Sequence, residues 1–234
     1  MSVVLALSAA LASVGPDPLS AADLPAVLGK GWWCSWDEVE NGCAFIDRYD
    51  FRRGVIETCG GTEIAWIQTA IDWGRRDGLP SVQRVLPVLD RLQAQARSMD
   101  ADRIKFCWTR AFKREGDALC AREWSTEGKP EMRLSRAGAW RDPEDLLIPS
   151  ADAEAFYRLW ADAFADMAAA IPETRRGDPE VKAFLAGVSS DWSCFAFSSR
   201  SDGTLVRAIA GPSPYETELR PLARPEDGVL IPRG

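Results

Sequence analysis

The chain has 234 residues, six cysteines, no histidine and a formal charge of -7. Its length allows one large domain or two small ones, and the acidic balance argues against nucleic acid and anionic membrane surfaces, which select clustered Lys and Arg. The missing histidine excludes Ser-His-Asp and Cys-His catalysis, His-ligated zinc and proximal-His haem.

Residues 1–12 are apolar except for Ser2 and Ser8, and end in Ala10-Leu11-Ala12 ahead of Gly15-Pro16-Asp17-Pro18. That resembles a secretory signal peptide cleaved after Ala12, although no Lys or Arg precedes the run; the alternative is a buried N-terminal helix. The run is too short to span a bilayer, which takes about 20 apolar residues, and no other stretch is a candidate span. There is no C-x-x-C, so zinc-ribbon and thioredoxin-type motifs are missing, and an even cysteine count behind a signal-like segment predicts disulfides in a periplasmic or secreted protein. A cytoplasmic chain with reduced cysteines is the alternative.

Residues 13–30 read as a linker or one short helix. The stretch 31–72 holds the densest aromatic run and Asn41-Gly42, a type I′ hairpin signal joining strands at 36–40 and 43–50. A strand at 55–59 follows Arg53-Gly54. Residues 62–73 fit both a helical stripe (Ile64, Ile67, Ile71) and a strand face; their β-branched content favours a strand. Residues 82–99 read as a helix, with Val82, Val85, Leu86, Leu89, Leu92, Ala96 and Met99 on one side and Pro87 marking a start or a kink. A hairpin at 103–114 and 118–125 turns at Glu115-Gly116-Asp117. Residues 126–149 read as a long loop with a short strand at 132–134. A second helix at 152–170 carries Phe156, Trp160 and Phe164 in a stripe, with Ser150 as N-cap and Pro172 as its stop. A short helix at 179–185 precedes a hairpin of 191–198 with 204–210. Residues 211–234 are proline-rich and read as an extended tail. The expected fold is one α+β domain over 31–210: a hairpin-rich antiparallel sheet with two amphipathic helices packed on it, stabilised by disulfides.

No cofactor motif survives inspection. No lysine has a serine three residues before it, Gly187-Val188-Ser189-Ser190-Asp191 lacks the last glycine of a nucleophile elbow, and neither Gly29-Lys30-Gly31 nor Gly128-Lys129-Pro130 makes a P-loop. Residues 37–48 fail as a calcium loop at Val39 and Arg48. Two constellations remain. Trp32, Trp33 and Trp36 beside Asp37 form a candidate binding surface for sugars or cationic ligands, or else a hydrophobic cluster round a disulfide. Asp47 and Glu57 form a candidate carboxylate pair, about 7–8 Å apart if Cys43 faces Cys59 across their hairpin. The disulfides expected from hairpin geometry are Cys43–Cys59 and Cys107–Cys120, leaving Cys34–Cys194 by elimination; the main rival pairs Cys34 with Cys43 and Cys59 with Cys194. The function expected is a non-enzymatic exported domain that binds a protein or small ligand or serves the envelope, with a carboxylate-dependent hydrolase of envelope polysaccharide as the alternative.

Overall fold

The computed structural model describes residues 17–122, 126–189, 192–209 and 216–233; within these, the side chains of residues 160, 183, 184, 187–189, 232 and 233 are not described. The signal-like segment 1–12 and the central member of the expected helical stripe, the Trp160 side chain, therefore fall outside the described set.

After a two-residue strand β1 (Asp17–Pro18) and a short helix α1 (Leu24–Leu28) come three strands joined by hairpins, β2 (Trp32–Asp37), β3 (Gly42–Asp50) and β4 (Val55–Glu63). Helices α2 (Ala65–Arg75) and α3 (Pro80–Met99) lead into the long strand β5 (Arg103–Glu115), which turns back as β6 (Ala118–Arg122). An excursion follows through β7 (Glu131–Ser135), β8 (Leu146–Leu147), α4 (Ser150–Ala170) and α5 (Pro179–Ser189). The chain then returns as β9 (Trp192–Ser199), β10 (Leu205–Ile209), β11 (Glu216–Leu222) and β12 (Pro232–Arg233).

Eight of these strands pair antiparallel in the cyclic order β2-β3-β4-β5-β6-β9-β10-β11, and β11 closes on β2. Each strand's ring neighbours are its neighbours in chain order once the helical excursions are left out. The result is an up-and-down barrel, which removes the exposed sheet edges that an open sheet would have to protect. This overturns the expected α+β fold with helices packed on an open sheet. The closing strand is β11, inside the proline-rich segment read as a tail: Leu219 lies opposite Ser35 on one side and Leu205 on the other. Pro221, one of the prolines of that segment, sits late in the strand opposite Trp33.

The helices pack beyond the barrel wall. The first half of β5 extends past the ring, pairs with β7, and receives α2, α3 and α4 on a core of Ile71, Leu89, Leu92, Ile104, Leu134 and Phe156. Residues 62–73, favoured as a strand, are strand only at Thr62 and Glu63, the end of β4; from Ala65 on the segment is helix α2. Its Ile67, Ala70 and Ile71 are buried at helical spacing, so packing against α3 outweighs the β-branched preference.

Hairpin registers set everything inside the barrel. Asp37 Oδ1 accepts the amides of Val39 and Glu40 at 3.0 and 3.1 Å, and Asn41 alone takes a left-handed φ of 53°, so the β2–β3 turn is a four-residue loop pairing Asp37 with Gly42. Asp50 repeats the device with the amides of Arg52 and Arg53, and Gly54 (φ 67°) closes that loop so that Asp50 pairs with Val55. The cysteine-paired register expected for this hairpin is therefore off by an odd number of residues, and Cys59 lies opposite Ile46.

Three disulfides join Cys34–Cys43, Cys59–Cys107 and Cys120–Cys194. The expected Cys43–Cys59, Cys107–Cys120 and Cys34–Cys194 are all replaced; only the Cys34–Cys43 bond of the rival scheme occurs, and its Cys59–Cys194 does not. The reason is register. The two-residue turn Gly116–Asp117 pairs Glu115 with Ala118, placing Cys120 across from Lys113 rather than Cys107. Cys59 and Cys107 face each other directly across β4–β5, and Cys120 and Cys194 across β6–β9. Both ladders join strands remote in sequence.

Candidate functional site

In a barrel strand, alternate side chains point inward. Phe45, Asp47 and Tyr49 on β3, Ile56, Thr58 and Gly60 on β4, and Trp108, Arg110 and Phe112 on β5 share the inner face, since Asp47 pairs with Thr58, Thr58 with Trp108, and Ile56 with Arg110. Leu119 and Ala121 on β6, Ser193, Phe195 and Phe197 on β9, Leu205 and Arg207 on β10, Thr217 and Leu219 on β11, and Ser35 on β2 also face inward.

The lumen is layered. At one end α1 closes the barrel: Leu24 and Leu28 are fully buried against Tyr49, Ile56, Leu119, Phe197, Leu205 and Leu219, and Trp33 Nε1 donates to the Leu28 carbonyl at 2.9 Å. Above this apolar plug lies a polar layer. Asp47, 1 % exposed, accepts from Arg207 Nη1 at 2.7 Å and from Thr58 Oγ1 at 2.8 Å. Arg207 Nη2 donates to Ser35 Oγ at 2.8 Å and its Nη1 also reaches the Tyr49 hydroxyl at 3.3 Å. Arg110 Nη2 donates to Thr58 Oγ1 at 3.2 Å. The guanidinium groups of Arg207 and Arg110 lie 5.1 and 5.8 Å from the ring centres of Phe195 and Trp108.

The third layer is a cavity of about 300 Å³ floored by these polar groups and walled by Phe45, Trp108, Phe195, Ile209, Ser193 and Thr217. Burial falls along the barrel: Leu205 and Arg207 are 6 % and 13 % exposed, whereas Ile209 at the rim is 49 % exposed. Gly60 lets the wall form, because a Cβ there would come within 3.0 Å of the Phe45 ring. Trp108 is held by Phe45 edge-on at 6.4 Å, by Phe106 at 5.0 Å, and by Tyr157 of α4 at 5.8 Å, so the helical layer braces one wall of the cavity.

Charge is managed within the polar layer. Burial and then the nearby Asp47 carboxylate push the Tyr49 hydroxyl up to about 12, against the opposing pull of Arg207. Burial works against the charge on Arg207, but Tyr49 and Asp47 beside it outweigh burial and hold its pKa above the usual guanidinium range. Arg207 is thus held charged and the Tyr49 phenol neutral at neutral pH.

The residues singled out from sequence are scattered by this geometry. Glu57 pairs with Arg48, one position from Asp47's partner Thr58, so it points away from the lumen and the expected carboxylate pair is split across the wall. Trp33 lies at the closed end, while Trp32 and Trp36 lie on the outer face beneath Arg48 and Arg220, at 5.6 and 3.8 Å. Asp37 holds the β2–β3 turn and shares an acidic surface hollow with Trp36, Glu38, Glu40, Glu216 and Glu218. The four do not form one surface. Residues 37–48 are turn and strand, with Arg48 mid-strand. Glu115, Cys120 and Cys194 lie close together, but both cysteines are in one disulfide and offer no thiolate to a metal.

The polar layer's own members were legible in one respect. Asp47 stands between Phe45 and Tyr49, Arg110 between Trp108 and Phe112, and Arg207 between Leu205 and Ile209, each a charge at the apolar parity of a strand. No family model, curated protein or solved structure matches the chain.

Proposed function

We propose that this chain is an exported, disulfide-stabilised barrel that binds one small molecule inside its lumen. The observation that carries the reading is the cavity of about 300 Å³ above a buried ionic floor. An eight-stranded barrel is just wide enough for side chains to fill or for one small ligand to enter, and this one leaves a cavity towards one end while plugging the other with leucines. A buried ion pair is a poor device for stability, since desolvation offsets its Coulomb gain. Aromatic walls with a few fixed polar groups are what small-ligand sites use. Three disulfides, which persist in oxidising compartments, and the signal-like residues 1–12 support export.

Calorimetric titration with the neutral probe 2-naphthol tests the reading. Single-site binding is expected in the native protein, and loss of that binding when Thr217→Trp or Ser193→Trp fills the lumen. Binding that persists in both folded variants places the probe elsewhere and refutes the lumen as the site.

A further inference from the structure

We infer that the lumen selects an uncharged, flat aromatic molecule of one or two rings, its ring against Trp108 between Phe45 and Phe195 and a polar edge group directed to the Thr217 hydroxyl. The inference rests on the small-molecule reading above and deepens it.

Size comes first. An apolar protein cavity of about 150 Å³ holds one benzene ring. A cavity of about 300 Å³ therefore suits a body of one or two rings rather than a long chain. Shape comes next. Aromatic pairs prefer offset or edge-on contacts, and Trp108, braced by Phe106 and Tyr157, presents a fixed face with Phe45 edge-on beside it.

The ionic floor works against charged ligands, because its groups are already committed to protein partners. Asp47 is paired with Arg207, whose two terminal nitrogens are engaged with Asp47, Tyr49 and Ser35. Arg110 donates to Thr58 and lies against the Trp108 ring. An anion entering above them would give up its hydration to meet the Asp47 carboxylate and two arginines that are in use. A cation would meet guanidinium groups that already lie against the Phe195 and Trp108 rings, the surfaces that could otherwise hold it. An ion moved out of water without a partner of its own is heavily penalised, whereas a neutral ring gains by the transfer.

Recognition of the ligand's edge falls to a hydroxyl. Those of Ser35 and Thr58 are used inside the ionic layer. Ser193 and Thr217 also line the cavity, and neither side chain makes a hydrogen bond among the described residues. Of the two, Thr217 is the one across the barrel: β11 stands opposite β5 in the eight-strand ring, and Thr217 is level with Arg207 at the floor. A ring lying on Trp108 therefore turns its far edge to Thr217. A hydroxyl both donates and accepts, so it can meet a phenolic or a carbonyl edge group.

Calorimetry near neutral pH compares 2-naphthol with two ions of the same ring, 2-naphthoate and 2-naphthylmethylammonium, with the puckered, saturated decahydro-2-naphthol, and with naphthalene, which lacks the hydroxyl. The native protein should bind the naphthol at least about tenfold more tightly than either ion and at least about threefold more tightly than the saturated alcohol. Thr217→Val, which keeps the shape and removes the hydroxyl, should weaken the naphthol by about three- to tenfold, the usual worth of one hydrogen bond, and leave naphthalene within about twofold. A smaller gap to either ion overturns the uncharged assignment, and a smaller gap to the saturated alcohol overturns the flat ring. Both results leave the lumen reading intact, and neither comparison needs a variant to fold. A naphthol-to-naphthalene ratio unchanged in folded Thr217→Val overturns the role given to Thr217. Failure of all five probes to bind overturns the lumen reading, and the inference with it.

Discussion

Replacing Asp47 by Ala removes the centre of the lumen's polar layer. The carboxylate is 1 % exposed and takes hydrogen bonds from Arg207 at 2.7 Å and Thr58 at 2.8 Å, so its loss leaves a guanidinium only 13 % exposed with no counter-charge at hydrogen-bond distance among the described residues. Breaking a buried pair from one side costs about 3–5 kcal/mol. For a domain of this size that lowers Tm by roughly 6–20 °C, at about 2–4 °C per kcal/mol. Replacing both partners by apolar residues of similar volume, Asp47→Leu with Arg207→Met, removes the desolvation cost along with the attraction and should land near the native stability or above it. Guanidinium melts under non-reducing conditions measure the native protein, Asp47→Ala, the double variant and its two single variants. If Asp47→Ala costs less than about 1 kcal/mol, or the double variant loses the sum of the two single losses, the pair is not the coupled buried unit described above. Recovery of stability in the double variant would mean that the ion pair is retained for something other than holding the barrel closed.

Tyr49 gives a pH signature. Its hydroxyl titrates near 10 in the unfolded chain and near 12 in the fold, so its contribution is fully present below pH 10 and is lost as pH rises towards 12, by roughly 2–3 kcal/mol; the alkaline slope of stability should flatten in Tyr49→Phe, and an identical slope in both proteins refutes the assignment. Peptide mapping of the non-reduced protein should recover Cys34–Cys43, Cys59–Cys107 and Cys120–Cys194; Cys43 linked to Cys59 would refute the β3–β4 register and with it the placement of Asp47 in the lumen.

Local patterns located most elements, because they depend on spacing that neighbouring residues carry themselves. The apolar stripes from Val82 to Met99 and from Phe156 to Phe164 fall in α3 and α4, and the Gly116 and Gly203 turns fall between strands. What failed depends on contacts between remote segments. Residues 65–75 are a helix because α3 covers Ile67 and Ile71, and nothing inside the segment expresses that cover. The cysteines faced the same difficulty: Cys59 and Cys107 are 48 residues apart and Cys120 and Cys194 are 74 apart, distances at which hairpin geometry has no bearing.

The candidate site was hidden for a related reason. Read on an open sheet, Asp47, Arg110 and Arg207 are charges on a face that ought to be apolar, and the simplest account of Asp47 is a local ion pair with a neighbour such as Arg48 or Arg52. Closure of the ring by β11 changes their meaning. With Leu219 set between Leu205 and Ser35, the inner faces of β3, β5 and β10 look at one another across the lumen, and Arg207 reaches an aspartate 160 residues earlier in the chain. The same closure decides which end is open. Leucines from α1, β6, β10 and β11 fill one end, so the barrel's remaining volume lies on the far side of the ionic layer, bounded by Phe45, Trp108 and Phe195. A charge at apolar parity in three separate strands is therefore a stronger signal than any one of them. In an open sheet each would carry its own desolvation cost, whereas in a closed barrel the three share a single polar floor.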